Sequence, residues 1–113
     1  MSGITTHILD TARGRPAAGV TVILEAQKGE AFAEIARGKT DDDGRCRSLL
    51  DGGHIPGSGV YRLHFETGPY FEARGESCFH PFVTLAFSVD DPGEHYHVPL
   101  LLSPFGYTTY RGS

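Results

Sequence analysis

A chain of 113 residues that is 39% hydrophobic and carries 15 glycines and 7 prolines is too apolar to be disordered, and its length fits one domain, placed here over residues 1–113. A net charge of −4 with no basic run argues against a nucleic-acid partner. No apolar run approaches the ~20 residues of a membrane helix, and no basic-then-apolar leader opens the chain, so the expected setting is the cytoplasm, with Cys46 and Cys78 reduced.

The first strand signal covers residues 4–9. Period-two alternation puts Thr6 and Ile8 on one face and Thr5, His7 and Leu9 on the other. Residues 10–19, with two Gly, two Arg and a Pro, read as a loop. Residues 20–26 bring Val20, Val22, Leu24 and Ala26 together on the face of a half-buried strand, and Lys28-Gly29-Glu30 is a hairpin turn. Residues 32–37 form the next strand. There Phe32 and Ile35 break parity, which leaves the register open and admits a bulge.

Thr40-Asp41-Asp42-Asp43-Gly44 is a turn. Asp side chains accept from nearby backbone amides, and Gly44 supplies a positive φ. The three aspartates lack the spaced ligands of a calcium loop. Residues 45–49 read as a short strand with Arg45, Arg47 and Leu49 on one face, followed by a Gly-rich loop over 51–59. Residues 60–67 alternate strongly, with Tyr61, Leu63 and Phe65 inward. One short helix is expected over 69–74, capped by Thr67 and stopped by Gly75.

Residues 83–89 alternate again, Val83, Leu85, Phe87 and Val89 against Thr84, Ala86 and Ser88. Asp91-Pro92-Gly93-Glu94 turns the chain into a strand over 95–102. Its core set is Tyr96, Val98, Leu100 and Leu102; its other face carries His95, His97, Pro99 and Leu101. Ser103-Pro104-Phe105-Gly106 is a second turn, and a last strand covers 107–111. This makes an all-β chain of about eight strands with one short helix, the pattern of a two-sheet sandwich. A closing segment so rich in aromatic and polar groups is expected to be held in place.

Parity therefore puts His7 and His97 on faces turned from the core, each beside apolar neighbours, and groups Tyr110 with Thr108 and Gly112. If these strands adjoin, two histidines and a tyrosine line one partly desolvated surface that Arg45 can join. Imidazole takes and gives protons near neutrality, and guanidinium holds carbonyl-rich or anionic groups by paired hydrogen bonds. Parity does not choose Arg45 over Arg47. His54, His64, His80 and His95 read as surface or hydrogen-bonded side chains. A competing reading makes His95, His97 and His7 a three-histidine metal site. His-x-His spacing is weak on its own, no acidic or thiol ligand completes the set, and no metal or cofactor is assigned.

The stretches THILDTARGRPAAGV, GKTDDDGR, GVYRLHFETGPYF, FHPF and HYHVPLLLSPFGYTTYRGS resemble the 5-hydroxyisourate hydrolases, the transthyretin-like enzymes of urate breakdown, over essentially the whole chain. The closing Tyr110-Arg111-Gly112-Ser113 is that family's distinguishing motif. One departure lies in the turn before Arg45, where the family commonly has Asn at the position of Asp41. The resemblance implies a prealbumin-like sandwich of two four-stranded sheets and a homotetramer built as a dimer of dimers, with sites where dimers meet. It implies that His7, Arg45, His97 and Ser113 are catalytic, and that these four with Tyr110, Arg111 and Gly112 bind the substrate.

The implied reaction opens the six-membered ring of 5-hydroxyisourate at its N1–C6 amide, without cofactor or covalent intermediate. His7 or His97 activates water, Arg45 steadies the oxyanion, and Ser113 closes the pocket through its hydroxyl or carboxylate. The alternative within the fold is a carrier like transthyretin, which lacks these histidines and the Tyr-Arg-Gly-Ser end.

Overall fold

The computed structural model describes residues 3–47, 49–50 and 53–113. The chain order is β1 (Gly3–Asp10), β2 (Arg15–Pro16), β3 (Thr21–Lys28), β4 (Ala31–Lys39), β5 (Arg45–Cys46), β6 (Gly59–Phe65), α1 (Thr67–Glu72), β7 (Val83–Val89), β8 (His95–Leu102) and β9 (Tyr107–Thr109). One sheet runs β2-β1-β8-β9 with β5 also paired to β1; the other runs β4-β3-β6-β7. The all-β sandwich with one short helix is thus the fold the chain adopts.

The first sheet has five strands where four were expected, because two-residue β2 and β5 share one edge of β1. Arg15 and Pro16 pair with Asp10 and Leu9, while Cys46 and Arg45 pair with Thr6 and His7. On its other edge β1 runs parallel to β8, Thr5 opposite His97 and His7 opposite Pro99.

The core follows the period-two pattern. Ile4, Ile8, Tyr96, Val98, Leu100 and Leu102 from the first sheet are buried with Val22, Leu24, Tyr61, Leu63, Phe65, Val83, Leu85 and Val89 from the second. Each such side chain stabilises the fold by roughly 1.5–3 kcal/mol relative to exposure. The broken parity in β4 is a bulge: Leu24 pairs with Ala36 but Glu25 with Glu34, so Ile35 is the extra residue. It lets Phe32 and Ile35 both be partly buried despite their odd spacing.

Three local expectations change. The helix begins earlier than residue 69, and Thr67 does not cap it: its hydroxyl donates to the His80 carbonyl, and Glu66 holds the cap position without a side-chain bond. The strand expected over 45–49 ends at Cys46, with Leu49 buried beyond it; Ser48 lies outside the described residues, as do Asp51 and Gly52 of the expected loop. The last strand stops at Thr109. The β8–β9 pairing offset nevertheless continues beyond it, since Gly112 forms a further antiparallel bridge to His97. The closing segment is therefore held.

Helix α1 is tied to the end of β1 through a buried carboxylate. Asp10 accepts from the Tyr70 hydroxyl at 2.7 Å, from the Arg13 amide at 3.0 Å and from the Arg13 guanidinium at 3.1 Å. Arg13 also pairs with Glu76. Burial pushes the Asp10 carboxyl up, but these donors together hold it below the usual carboxylate range.

Candidate active site

The outward face of the five-stranded sheet gathers the histidines. In β1, Thr5 and His7 point away from the core; in β8, His95 and His97 do the same. Each of these four side chains is half-buried, because the sheet covers one side and leaves the other open.

His7 is fixed by the turn before β5. Asp41 Oδ1 accepts from the amides of Asp43 at 2.9 Å and Arg45 at 3.0 Å, so its carboxylate organises the turn as an Asn side-chain oxygen would. Gly44 has φ +76, and an added Cβ would stand 2.4 Å from the Ile8 carbonyl. Only glycine lets the turn approach β1 this closely, and the Ile8 amide donates to the Gly44 carbonyl at 2.8 Å. The docked turn presents the Asp43 carbonyl to His7 Nε2 at 2.8 Å. A carbonyl only accepts, so Nε2 carries the proton.

The same turn separates the two arginines. Arg45 is half-buried directly across the ladder from His7, and its guanidinium makes no ion pair among the described residues. Arg47 is exposed and lies 3.8 Å from the Asp43 carboxylate. The sequence alone did not distinguish them, because both fall on odd positions.

His97 is gripped from two sides. Its Nδ1 lies 2.9 Å from the Thr5 hydroxyl. On the other side the Gly112 amide donates to the His97 carbonyl at 2.8 Å, and the Gly112 backbone lies against the ring. Burial holds the His97 pKa below the usual imidazole value, and the nearby Arg45, His7 and His95 lower it further. His97 is thus a neutral imidazole near pH 7, able to accept a proton.

The structure brings His7, Arg45, His97 and Gly112 together. Two other residues of the closing motif, Tyr110 and Arg111, make their contacts elsewhere within the chain. Arg111 is on the core-side parity of the last segment: its guanidinium stacks 4.4 Å from the Tyr96 ring centroid and reaches Glu94 at 3.2 Å. Tyr110 and Arg111 border a cavity of about 340 Å³ at the edge of the sandwich, with Leu85, Phe87, Tyr96 and Val98. Ser113 is exposed next to Gly112.

In the sequence, Thr5 carries no sign of a role beyond its parity and His95 reads as a surface side chain. Thr5 Oγ1 lies 2.8 Å from His95 Nε2 as well as near His97. The signal was present in parity, since Thr5 shares the outer face with His7; the parallel β1–β8 register was not readable. His54 is exposed, His64 bonds Thr84 and Glu66 on the other sheet, and His80 packs edge-on between Phe79 and Tyr107.

Residues 4–112 match the HIUase/Transthyretin family. The 5-hydroxyisourate hydrolase of Caulobacter vibrioides is 48% identical, with all of both chains covered. The solved 5-hydroxyisourate hydrolase of Klebsiella pneumoniae is 37% identical over 99% of this chain and 100% of that one, with a TM-score of 0.85. Sea bream transthyretin, solved in complex with thyroxine, is 34% identical over 96% of this chain and 93% of that one, with a TM-score of 0.88. Backbone shape therefore does not separate a hydrolase from a carrier, and the side chains on the outer face must.

Proposed function

Because the chain belongs to the HIUase/Transthyretin family, we infer its activity from the side chains on that outer face together with its hydrolase relatives. It is a 5-hydroxyisourate hydrolase, opening the N1–C6 amide of the six-membered ring to give 2-oxo-4-hydroxy-4-carboxy-5-ureidoimidazoline. One relative of that name is 48% identical over the full chain. The observation that carries the site is the convergence of an imidazole with a lowered pKa, His97, with a guanidinium, Arg45, that has no ion-pair partner among the described residues, and a second imidazole, His7.

In the proposed reaction the substrate lies on this face with its C6 carbonyl toward Arg45. His97 removes a proton from water as the water oxygen bonds to C6, an effect worth roughly 10²–10⁴ in rate. The Arg45 charge stabilises the oxyanion that develops on the carbonyl oxygen. When the tetrahedral intermediate collapses, the N1–C6 electron pair goes to N1, which takes up the proton that His97 removed from water, and C6 becomes a carboxylic acid that ionises to solvent. His7, whose Nε2–H is held by the Asp43 carbonyl, offers Nδ1 as an acceptor that orients the water or a substrate N–H. Gly112 sets the His97 ring, Arg111 anchors the closing segment through Tyr96 and Glu94, and Tyr110 and Ser113 complete the pocket around the substrate.

The same reading takes residues 1–113 as one transthyretin-like domain, working in the cytoplasm as a homotetramer with sites where dimers meet. An open, half-buried face supports the assembly, because an apposed copy would close it over the substrate. Light scattering tests the tetramer.

The activity is tested by generating 5-hydroxyisourate from urate with urate oxidase and following the decay of its ultraviolet absorbance, with and without a chelator. Acceleration that survives the chelator is expected. No acceleration by folded protein returns the chain to the carrier reading.

A further inference from the structure

Thr5 stands between two imidazoles. Its hydroxyl oxygen is 2.8 Å from His95 Nε2 and 2.9 Å from His97 Nδ1. We propose that Thr5 and His95 are positioning residues that hold the proton of His97 on Nδ1 and so leave Nε2 free as the base. This rests on the hydrolase reading above.

A hydroxyl has one proton to give and lone pairs to accept with. Two ring nitrogens bonded to it at once cannot both be bare, because only one can receive its proton. Were both to carry a proton, the hydroxyl would accept from each and its own proton would need a third partner, and Thr5 Oγ1 has none among the described residues. With the hydroxyl proton used between the rings, one facing nitrogen donates and the other accepts, which sets the two rings in opposite states.

Only one of the two orders lets His97 act as a base. With the order His97 Nδ1–H to Thr5 Oγ1, and Thr5 O–H to His95 Nε2, the remaining His97 nitrogen has its lone pair available. When Nε2 takes the water proton, Nδ1–H stays where it was. The hydrogen-bond chain is then the same before and after proton transfer, so nothing reorganises during the step. In the reverse order His97 carries its proton on Nε2 and cannot accept one. His95 acts here through Thr5 and touches no substrate.

The fold builds this chain from distant pieces. Thr5 is directly opposite His97 in the parallel β1–β8 ladder. His95 lies opposite Gly3, and a Cβ added to Gly3 would stand 3.8 Å from His95 Nδ1, so that ring lies over the glycine. The groups that face His97 and feel its charge are Arg45, His7 and His95.

The test uses Thr5→Val, Thr5→Ser and His95→Ala in the urate-coupled assay, with the protonated nitrogen of His97 read from ¹⁵N spectra of the imidazoles. Wild-type protein is expected to show Nδ1–H on His97. Thr5→Val should lower kcat roughly 10- to 100-fold with KM little changed and lose that Nδ1–H preference. Thr5→Ser, which keeps the hydroxyl, should restore both. His95→Ala should shift His97 toward the mixed tautomer, and it carries the test if Thr5→Val does not fold. Wild-type kcat in Thr5→Val or in His95→Ala, or an Nε2–H tautomer in the wild type, would overturn the proposal. Absence of hydrolysis by the wild type would instead sink the hydrolase reading, while the spectra would still report the proton order.

Discussion

Gly112 lies so close to the ring of His97 that a Cβ placed on it would come within 2.6 Å of Cδ2 and 3.4 Å of Cγ. Its φ is not in the left-handed region, so glycine is needed here for space and not for backbone freedom. The glycine of the closing motif is thereby a steric gauge for the imidazole.

Gly112→Ala should consequently displace the His97 ring without unfolding the chain, since the residue lies beyond β9 and its amide bond to the His97 carbonyl does not need the missing hydrogen. A misplacement on the order of 1 Å can cost about 10²-fold in rate. We expect kcat/KM to fall by roughly that factor while the melting temperature stays near the wild-type value. Full activity in a folded Gly112→Ala would show that the ring tolerates displacement and would remove the motif's glycine from the catalytic account.

The two arginines after the aspartate turn should part company. Arg45→Met removes the guanidinium that faces His7 and has no carboxylate partner among the described residues. The expected loss is roughly 10²–10³ in kcat, the scale for removing one oxyanion-stabilising group. Arg47→Met removes an exposed charge 3.8 Å from Asp43, and such surface pairs contribute about 0–1 kcal/mol. It should leave kinetics and stability close to wild type. Equal losses in both variants would mean that Arg45 has no special place.

Much of this site was legible because a strand repeats every two residues. Alternation alone puts His7 and His97 on faces turned from the core, and the odd spacing of Phe32 and Ile35 leaves the register open and admits the bulge that the structure has at Ile35. What was not legible depends on pairing and on tight turns. Thr5 gains its meaning only from the register that sets it opposite His97, some ninety residues later. Arg45 and Arg47 share parity, and only the close docking of Gly44 on Ile8 decides which one faces His7. The two-residue strands β2 and β5 are too short to show a period. Thr67 looked like a helix cap because its residue type favours one, but a nearby carbonyl at His80 takes its hydroxyl instead.

The pH profile should place the working base. His97 is held below the ordinary 6.5 first by burial and then by Arg45, His7 and His95. A base works when deprotonated, so activity is present above the lowered pKa and is lost as pH falls through it. The acid limb of kcat/KM should therefore lie below 6.5. Arg45→Met removes one of the smaller causes, and its residual activity should show the limb moved upward but still under 6.5, because burial remains. A wild-type limb above 6.5 would point away from His97 as the base.

Stability should titrate at a different place, the buried Asp10. Its folded pKa is depressed below 3.8, with burial opposed by Tyr70 and Arg13 donors, so its contribution is present above the unfolded value and lost as pH falls through the folded one. Tyr70, whose own pKa is pushed up to about 12 by burial and by Asp10, donates the 2.7 Å bond that ties α1 to β1. Tyr70→Phe leaves the carboxylate buried with one donor fewer. At neutral pH it should cost about 1.5–3 kcal/mol, the range for a hydrogen bond to a charged group. Its folded Asp10 pKa should rise, so acid unfolding should begin at a higher pH than in the wild type. Because Asp10 and Tyr70 are buried in the fold and take no part in the proposed proton transfers, kcat/KM of the folded variant should stay near wild type. Denaturant melts at pH 7 and pH 4 check both parts, and a variant as stable as the wild type at both would show that Arg13 alone suffices to hold the carboxylate.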